Sequence, residues 1–244
     1  MINEIIIKPI GVVQSELKQR YETPRQGVLA KGSITVIHLN AKENFDQAVK
    51  DLNGFERIWI IYQFHLNKNW KPLVTPPRHT RSKVGVFATR APYRPNQIGL
   101  SCVKLEKVEG LKIYISESDI LDGSPVLDIK PYLPYSDSFA ASKTGWVKSG
   151  IEDIYEVIFD DKVKKSADDL REQLNVNLLS YARLQLEFNP ADTARKRIIK
   201  SVNTKSKPDT FILAYQNWRI SYSVDENEKK VFIISIKPAK KEKE

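Results

Sequence analysis

LSCVKLEKVEGLKIYISE, residues 100–117, holds two apolar runs rich in β-branched residues on either side of a Glu109-Gly110 turn. Short runs of this kind, bounded by turn residues, predict two neighbouring β-strands. The same pattern predicts further strands over residues 5–13, 33–39, 57–66 and 84–89. Many short strands with few helical crossovers favour a barrel or sandwich over a doubly wound parallel sheet. We therefore expect a mostly β protein built on a β-barrel.

One helix is expected among these strands. Four apolar residues follow the i, i+3, i+4, i+7 spacing of a helix face: Phe45, Ala48, Val49 and Leu52. Gly54 is placed to end this helix, because glycine readily adopts the backbone conformation that follows a last helical turn. The helix is expected to plug or flank the sheet.

Residues 136–150 are predicted to link two domains. They are small, polar and without a period, as is typical of a linker. We therefore expect a β-barrel domain over residues 1–140 and a small α+β domain over residues 153–240.

The second domain has its own strands and helix. One strand is predicted over residues 155–159, and two more are predicted over residues 210–224 and 231–237. Between them, Ser166 is predicted as a helix N-cap, with Asp169 three residues further on. Segregated helices and strands of this kind are typical of an α+β unit.

Composition predicts a cytosolic protein without a metal. Apolar residues make up 41% of the 244 residues, and no apolar run approaches the length of a membrane span. The first residues lack the basic region and the cleavage site of an export signal. The single Cys102 excludes an internal disulfide, and three histidines supply no ligand spacing for a structural metal.

The net charge of +9 is concentrated in one segment, because residues 57–105 contain nine Lys or Arg and no Asp or Glu. The nine are Arg57, Lys68, Lys71, Arg78, Arg81, Lys83, Arg90, Arg94 and Lys104. Five aromatic residues are interleaved with them: Trp59, Tyr62, Trp70, Phe87 and Tyr93. Cations that hold phosphates beside rings that stack bases indicate a nucleic-acid-binding surface. A merely solvated basic face is the alternative.

Several common catalytic motifs are absent. The glycines never have the G-x-G-x-x-G spacing of a Rossmann dinucleotide site. Residues 27–33 have the glycine spacing of a phosphate-binding loop, but Ser33 stands where that loop needs its lysine. Cys102 lies in an apolar run that suits a buried thiol better than a nucleophile. The sequence therefore offers no candidate for covalent catalysis or NTP hydrolysis.

Three segments rich in proline, glycine and charge follow or interrupt strands: residues 23–27, 88–99 and 119–132. In the second, prolines on both sides restrict the backbone, so Arg94 is expected to present its guanidinium to a carboxylate or phosphate at low entropic cost. Simple turns with surface ion pairs are the alternative, and Asp119 and Asp122 can close Asx turns. His65 ends an apolar strand and, by itself, is more typical of a structural histidine than of a base.

At these segments the sequence resembles a known family. PRQG (24–27), FERIWIIYQFH (55–65), GVFATRAPYRPNQIGLS (85–101) and DILDGSPVLDIKPYLP (119–134) are similar to motifs of the TrmO family of tRNA methyltransferases, in the same order and spacing. The match spans residues 10–135. It implies an S-adenosylmethionine-dependent enzyme with a β-barrel methyltransferase domain. It further implies methylation of N6-threonylcarbamoyladenosine beside the tRNA anticodon, and a homodimer.

The resemblance also implies a cofactor pocket and reverses the structural interpretation of His65. The implied pocket residues are Pro24, Arg25, Gln26, His65, Leu66, Arg90, Leu100, Asp119, Ile120, Leu121 and Asp122. The acceptor nitrogen is amide-like and poorly nucleophilic, so a group that helps to remove its proton is expected. The candidates for that group are Asp119, Asp122 and Tyr132. The candidates for RNA contacts are Lys68, Lys71, Arg78, Arg81, Lys83 and Arg94.

The second domain departs from the family pattern. The family's Asp-Pro-Arg-Pro-x-Tyr motif corresponds here to NPADTA, residues 189–194, which lacks the arginine and the tyrosine. The nearby Arg195, Lys196, Arg197 and Lys200 are candidates to replace it through phosphate contacts. Two other functions therefore stay open: a non-catalytic RNA-binding or S-adenosylmethionine-sensing module, and a methyltransferase acting on a different substrate.

Overall fold

The computed structural model describes residues 4–18, 34–41, 43–76, 82–147, 154–174, 178–193, 195, 197–201 and 209–239. The chain divides into two compact units, Met1–Ser149 and Gly150–Glu244. Each unit has its own sheet and its own buried apolar residues. None of the helices in these ranges combines the length and the apolar character that crossing a membrane requires.

The described part of the first unit contains eight strands: β1 (Gly11–Gln14), β2 (Thr35–Leu39), β3 (Arg57–Gln63), β4 (Leu73–Val74), β5 (Val84–Gly85), β6 (Ile98–Glu109), β7 (Lys112–Ser116) and β8 (Pro125–Pro131). Six of them close a barrel in the order β1-β2-β7-β6-β3-β8, with every neighbouring pair antiparallel. β4 and β5 pair separately, in the segment between β3 and β6. The predicted mostly β fold with an N-terminal barrel is confirmed.

Alternation of side chains along the strands fills the barrel. In β3, Ile58, Ile60 and Tyr62 are buried, whereas the residues between them are partly exposed. Isoleucine and valine dominate the buried positions because branched side chains fit a pleated, half-buried surface. Even an eight-stranded barrel of this type is filled by side chains, so a ligand site is expected at one of its ends.

The sequence patterns did not predict β8, which lies in a segment interpreted as a proline-rich loop. Pro125 and Pro131 stand at its two ends, where a missing backbone N–H disturbs a sheet least. The strand pairs with both β1 and β3 and so closes the barrel. Its register shifts beside Tyr62, which faces Val126, whereas the preceding Ile61 faces Asp128. A bulge of this kind bends a strand and redirects nearby side chains.

The predicted helix after β2 is shorter than expected. It consists of one turn, α1 (Phe45–Ala48), followed by a short 3-10 helix, Leu52–Gly54. The two are separated because Asp51 adopts a left-handed φ of 64°. Phe45 and Leu52 nevertheless pack against the barrel core, so the segment flanks the sheet as expected. A second short helix, α2 (Pro134–Asp137), follows β8.

Two predicted strands are also shorter. β1 begins only at Gly11, and β5 gives way to a short 3-10 helix, Val86–Ala88. By contrast, β6 and β7 follow the prediction closely and meet at Gly110, whose φ of 56° costs a glycine little.

The second unit combines a mixed sheet with two helices. Its described elements are β9 (Glu156–Phe159), α3 (Asp161–Leu174), α4 (Leu178–Leu186), β10 (Ile198–Lys200), β11 (Thr210–Tyr215), β12 (Trp218–Asp225) and β13 (Lys230–Pro238). The strand order is β10-β11-β12-β13-β9, and β9 runs parallel to β13. The single strand predicted over residues 210–224 is therefore a hairpin that turns at Gln216 and Asn217.

Asp160 caps α3, so the prediction of Ser166 as N-cap was wrong. The backbone N–H of Val163 donates to Asp160 Oδ1 at 2.7 Å, which satisfies one of the free N–H groups of the first turn. Ser166 lies inside the helix, and its hydroxyl donates back to the carbonyl oxygen of Lys162 at 3.0 Å.

Candidate active site

A cavity of about 90 Å³ lies where β3 ends and the chain passes from β7 to β8. The described residues that line it are Tyr62, Phe64, His65, Leu66, Asn67, Pro92, Asp119, Leu121 and Ser124. Four predicted cofactor residues are among them, namely His65, Leu66, Asp119 and Leu121. A mostly apolar wall with a few polar groups is typical of a small-molecule site.

The segment between β3 and β6 forms one wall of the cavity and is held by internal hydrogen bonds. At its base, the backbone N–H of Phe64 donates to Gln97 O at 2.7 Å. Further out, Asn67 Nδ2 donates to Pro92 O, also at 2.7 Å. These bonds join the outgoing and returning chains, so Pro92 and Asn67 are fixed side by side in the cavity wall.

Arg94 orders the turn that carries Arg90. Its Nη1 donates to Thr89 O at 2.9 Å and to Val86 O at 3.2 Å. Its guanidinium carbon also lies 5.8 Å from the centroid of the Phe87 ring, within cation–π range. The pre-ordered loop expected around Arg94 is thus held partly by Arg94 itself. A contact between Arg94 and RNA stays a prediction.

Asp119 is a carboxyl group enclosed at the end of the barrel. Ser101 Oγ donates to Asp119 Oδ1 at 2.6 Å. Burial raises the pKa of Asp119, and hydrogen bonds from Ser101 and from its own backbone, together with the charge of Arg90, offset part of that rise. A carboxyl group with a raised pKa takes up a proton more readily than an exposed one, as a general base near neutral pH requires.

Tyr62 reaches the cavity because a glycine faces it across the sheet. Tyr62 and Gly99 are paired in β3 and β6, and a Cβ placed on Gly99 would lie 2.5 Å from Tyr62 Cζ. The Tyr62 ring also meets Phe64 edge-on, with ring centroids 5.2 Å apart. Burial raises the pKa of Tyr62, so its hydroxyl remains protonated and able to donate.

His65 and Asn67 contribute polar atoms to the same cavity. His65 Nδ1 lies 3.2 Å from the hydroxyl of Ser124. Asn67 gives its amide N–H to Pro92, but its oxygen Oδ1 is buried and has no hydrogen-bond partner within the described part of the chain. A buried acceptor without a partner costs about 1–3 kcal/mol, so a ligand that brings an N–H donor would relieve a real penalty.

Asp122 anchors the segment that leads out of β1. Its Oδ1 accepts the backbone N–H of Ser15 at 2.9 Å, and its own N–H donates to Leu17 O at 2.9 Å. The chain that continues towards Pro24, Arg25 and Gln26 therefore starts beside the cavity wall. Because the carboxylate of Asp122 already serves the backbone, Asp119 is the better placed of the two as a proton acceptor.

Three other predicted residues lie away from the cavity. Tyr132 follows the far end of β8. There its ring centroid lies 5.9 Å from that of Trp59, and its backbone N–H donates to Arg57 O. That end of β3 is about 13 Å from Tyr62 along the strand. The Leu100 side chain is 56% exposed on the outer face of β6, whereas Ile120 is fully buried in the barrel core.

Several predicted residues lie outside the described part of the chain: Pro24, Arg25, Gln26, Arg78 and Arg81. Among the described RNA candidates, Lys68, Lys71 and Lys83 have exposed side chains, and Lys71 Nζ lies 5.0 Å from the Tyr93 ring centroid. Two large aromatic residues on the same segment are also exposed, Trp70 at 51% and Phe87 at 75%. This basic and aromatic surface begins directly beside the cavity, since Leu66 and Asn67 precede Lys68.

Sequence reasoning missed Asn67, Ser101 and Ser124 as parts of the site. A usable signal exists for Ser101, because it occupies a buried position of β6 between Gly99 and Val103 and is only 6% exposed. A polar residue at an inward position of an apolar strand must find a partner, and that partner is Asp119. Nothing in the one-dimensional pattern marks Asn67 or Ser124.

The altered motif of the second unit is held by internal contacts. Arg195 Nη1 donates to Gln185 O at 2.7 Å, and its Nη2 donates to Gln185 Oε1 at 2.6 Å. The hydroxyl of Tyr222 donates to Pro190 O at 2.5 Å. Arg195, a candidate above for phosphate contacts, is therefore already hydrogen-bonded to the end of α4.

Comparisons with known proteins agree with the fold and identify the family. The family model described as the tRNA-methyltransferase O N-terminal domain matches residues 12–138. The tRNA (adenine(37)-N6)-methyltransferase of Escherichia coli (strain K12) is 36% identical over 194 residues, which cover 77% of this chain and 82% of that protein. The chain therefore belongs to the TrmO family, as the sequence motifs predict.

Two further relatives and one solved structure are also similar to this chain. A protein of the same name from Mus musculus is 43% identical over 138 residues, covering 55% of this chain and 32% of that protein. A Pyrococcus abyssi protein described as a "Probable S-adenosyl-L-methionine-binding protein" is 38% identical over 184 residues, covering 74% of this chain and 92% of that protein. The crystal structure of TrmO from Pseudomonas aeruginosa has the same fold, with a TM-score of 0.65 and 24% identity over 96% of this chain and 100% of that chain.

Proposed function

We propose that this protein transfers a methyl group from S-adenosylmethionine to N6-threonylcarbamoyladenosine beside the anticodon of tRNA. Membership of the TrmO family supports a cofactor-dependent tRNA adenine-N6 methyltransferase. The observation that carries the proposal is the position of the cavity, where a buried carboxyl group, Asp119, lies beside a basic segment that itself contains no acidic residue. One site thus adjoins both a pocket for a small cofactor and a surface for a polyanion.

The residues of the cavity fit this cofactor. Its ammonium group can donate to Asn67 Oδ1, which lacks a partner within the described residues, and its cationic groups can be balanced by Asp119. The aromatic rings of Tyr62 and Phe64 and the side chain of Leu121 offer apolar contacts to its adenosine. When bound, S-adenosylmethionine supplies a methyl group that its sulfonium already activates.

The cavity alone does not enclose the whole cofactor. Its volume is about 90 Å³, whereas pockets for ligands of this size usually measure about 300 Å³ or more. We assign the remaining contacts to Arg90 and to Pro24, Arg25 and Gln26. Two observations support this: the charge of Arg90 acts on Asp119, and the chain leading to residues 24–26 is tied to Asp122.

Asp119 is the proposed proton acceptor for the nitrogen that is methylated. Its raised pKa suits that task, and Ser101 keeps the carboxyl group in one orientation. Tyr132 and Asp122 are less suited, since the first lies beside Trp59 and the second bonds to Ser15. The remaining requirement is alignment of the acceptor, which a rigid cavity wall supplies.

The basic surface beside the cavity is the proposed RNA contact. Lys68, Lys71 and Lys83 can hold phosphates, while the exposed rings of Trp70 and Phe87 can stack on unpaired bases of an anticodon loop. Alanine substitution of a stacking ring costs about 1–3 kcal/mol of binding per base. The resemblance to TrmO further supports a homodimer acting in the cytoplasm, which light scattering and cell fractionation would test.

The deciding experiment uses labelled S-adenosylmethionine and one tRNA prepared with and without the threonylcarbamoyl group. We expect label in the threonylcarbamoylated tRNA only. Equal label in both tRNAs would point to a different base, and label in neither would point to a different substrate. Cofactor binding without transfer to any RNA would favour the non-catalytic function. The hydrogen bonds from Arg195 to Gln185 support that alternative, because they already use a residue that was a candidate for phosphate contacts.

A further inference from the structure

Ser101 connects two side chains of the cavity. Its hydroxyl oxygen lies 2.6 Å from Asp119 Oδ1 and 3.4 Å from the hydroxyl oxygen of Tyr62. The shorter distance is in the range of an O–H···O⁻ bond to an ionised carboxylate. Since serine has only one hydroxyl proton, a Ser101 that donates to Asp119 can interact with Tyr62 only as an acceptor, across a long contact of 3.4 Å. The three groups therefore form a hydrogen-bonded series that ends on the carboxyl group of Asp119.

The barrel holds these three groups in place. Ser101 and Tyr62 are 6% and 5% exposed. The Tyr62 ring has little freedom to turn, because it lies against the backbone of Gly99 and the edge of Phe64. Tyr62 therefore gives Ser101 a fixed orientation, and Ser101 gives Asp119 a fixed orientation.

Asp119 keeps acceptor capacity for the cavity. A carboxylate has about four acceptor positions, of which Ser101 and the backbone N–H of Asp119 use two. Among the residues that the structure describes, the other titratable groups that face it are Tyr62, His65 and Arg90. Of these, only Tyr62 belongs to the hydrogen-bonded series that ends on Asp119.

We propose that Ser101 and Tyr62 are positioning residues, which hold Asp119 ionised and oriented so that its remaining acceptor positions receive a cationic group of S-adenosylmethionine. This inference rests on the proposed function for the identity of the cofactor. It assigns Ser101 and Tyr62 a positioning role in the site, which is distinct from the role of the proton acceptor.

The proposal makes a prediction about the pH dependence of cofactor binding. The hydrogen bond from Ser101 lowers the pKa of Asp119 against the rise that burial causes. Without Ser101 the pKa is higher, so a larger fraction of Asp119 is protonated at a given pH, and a protonated carboxyl group no longer attracts a cation. The binding defect of a Ser101→Ala variant should therefore grow as the pH falls.

The test is calorimetric titration of the full-length protein with S-adenosylmethionine alone, at pH 6, 7 and 8. Ser101→Ala should weaken binding about tenfold at pH 6, because a protonated Asp119 no longer attracts the cation, and less at pH 8. Tyr62→Phe should weaken binding less, in the same direction. Ser101→Thr keeps the hydroxyl and should restore binding.

Ser223→Ala is the matched control, because Ser223 is a strand serine of the second unit with 8% exposure. It should leave binding unchanged. If Ser101→Ala does not fold, Tyr62→Phe and Ser101→Thr still decide. Binding within twofold of the wild type for Ser101→Ala at all three pH values, or for Tyr62→Phe if Ser101→Ala is unfolded, overturns the inference.

The result separates this inference from the proposed function. If the wild type methylates tRNA and Ser101→Ala binds the cofactor normally, only the inference fails. If the wild type binds the cofactor in the expected Ser101-dependent way but methylates no tRNA, only the proposed function fails. A wild type that binds no S-adenosylmethionine overturns both.

Discussion

The indole nitrogen of Trp146 donates a hydrogen bond to the backbone oxygen of Ala88 at 2.9 Å. Trp146 belongs to the segment predicted as a linker, yet it fastens that segment to the turn carrying Thr89 and Arg90. The compact first unit spans Met1–Ser149 and so includes Trp146. One end of the connection between the units is thus tied to the proposed cofactor site.

We expect Trp146→Phe to loosen this turn, because phenylalanine keeps an apolar ring but cannot donate. Hydrogen exchange should be faster in peptides covering residues 86–94 than in the wild type. Trp218→Phe, in β12 of the second unit, is the control and should leave these peptides unchanged. Unchanged exchange for Trp146→Phe would mean that the bond contributes nothing to the order of the turn.

Gly99→Ala should destabilise the barrel and displace Tyr62. The added methyl group would lie 2.5 Å from Tyr62 Cζ, so the ring must move. Overpacking of this kind costs about 1–3 kcal/mol, which denaturant unfolding can measure. Gly85→Ala is the matched control, since a Cβ at that position meets nothing within 4 Å and its φ is −57°. Equal stability of the two variants would contradict the close contact.

Arg94→Ala and Lys83→Ala should impair different properties of the protein. Arg94→Ala removes the bonds to Val86 and Thr89, so we expect a large loss of methyl transfer together with faster hydrogen exchange in residues 86–94. Lys83→Ala removes one exposed charge, so we expect weaker tRNA binding and a salt dependence reduced by about one in slope, with normal exchange. Similar exchange in both variants would show that Arg94 does not order the turn.

Asp119→Asn should abolish activity without lowering stability at neutral pH. Because burial raises the pKa of Asp119 in the folded protein, its stabilising effect is present below the ordinary pKa of 3.8 and is lost as the pH rises through the raised value. Asparagine carries no charge, so the variant should lack this loss. Unfolding curves between pH 4 and pH 8 should show the advantage of Asp119→Asn increasing with pH. A constant difference would mean that Asp119 is not desolvated.

Much of the barrel was predictable because its strands are short apolar runs rich in β-branched residues and bounded by turn residues. In β3, the buried residues are Ile58, Ile60 and Tyr62, and Gly110 lies in the turn between β6 and β7. β8 escaped prediction since its two terminal prolines and preceding Asp-Gly pair resemble a loop, and only pairing with β1 and β3 makes it a strand. Tertiary contacts therefore overrode local preference there.

The site was predicted less completely than the fold. The family motifs pointed to His65, Leu66, Asp119 and Leu121, which the structure brings into one cavity. They did not reveal Ser101, which matters because its hydroxyl donates to Asp119, a residue distant in the sequence. Nor did they reveal Asn67, which matters because its Oδ1 is buried without a partner among the described residues. Charge arithmetic grouped Arg94 with the exposed lysines, although two carbonyl groups of its own turn accept its hydrogen bonds.

The closure of the barrel by β8 also sets an order of events during synthesis. β8 is the last barrel strand along the chain, and both β1 and β3 rely on it for a neighbour. A nascent chain that ends before Pro125 leaves two open sheet edges, which attract other chains. Such a chain should associate with chaperones until residue 131 has left the ribosome, and truncations before this residue should aggregate rather than form a smaller barrel.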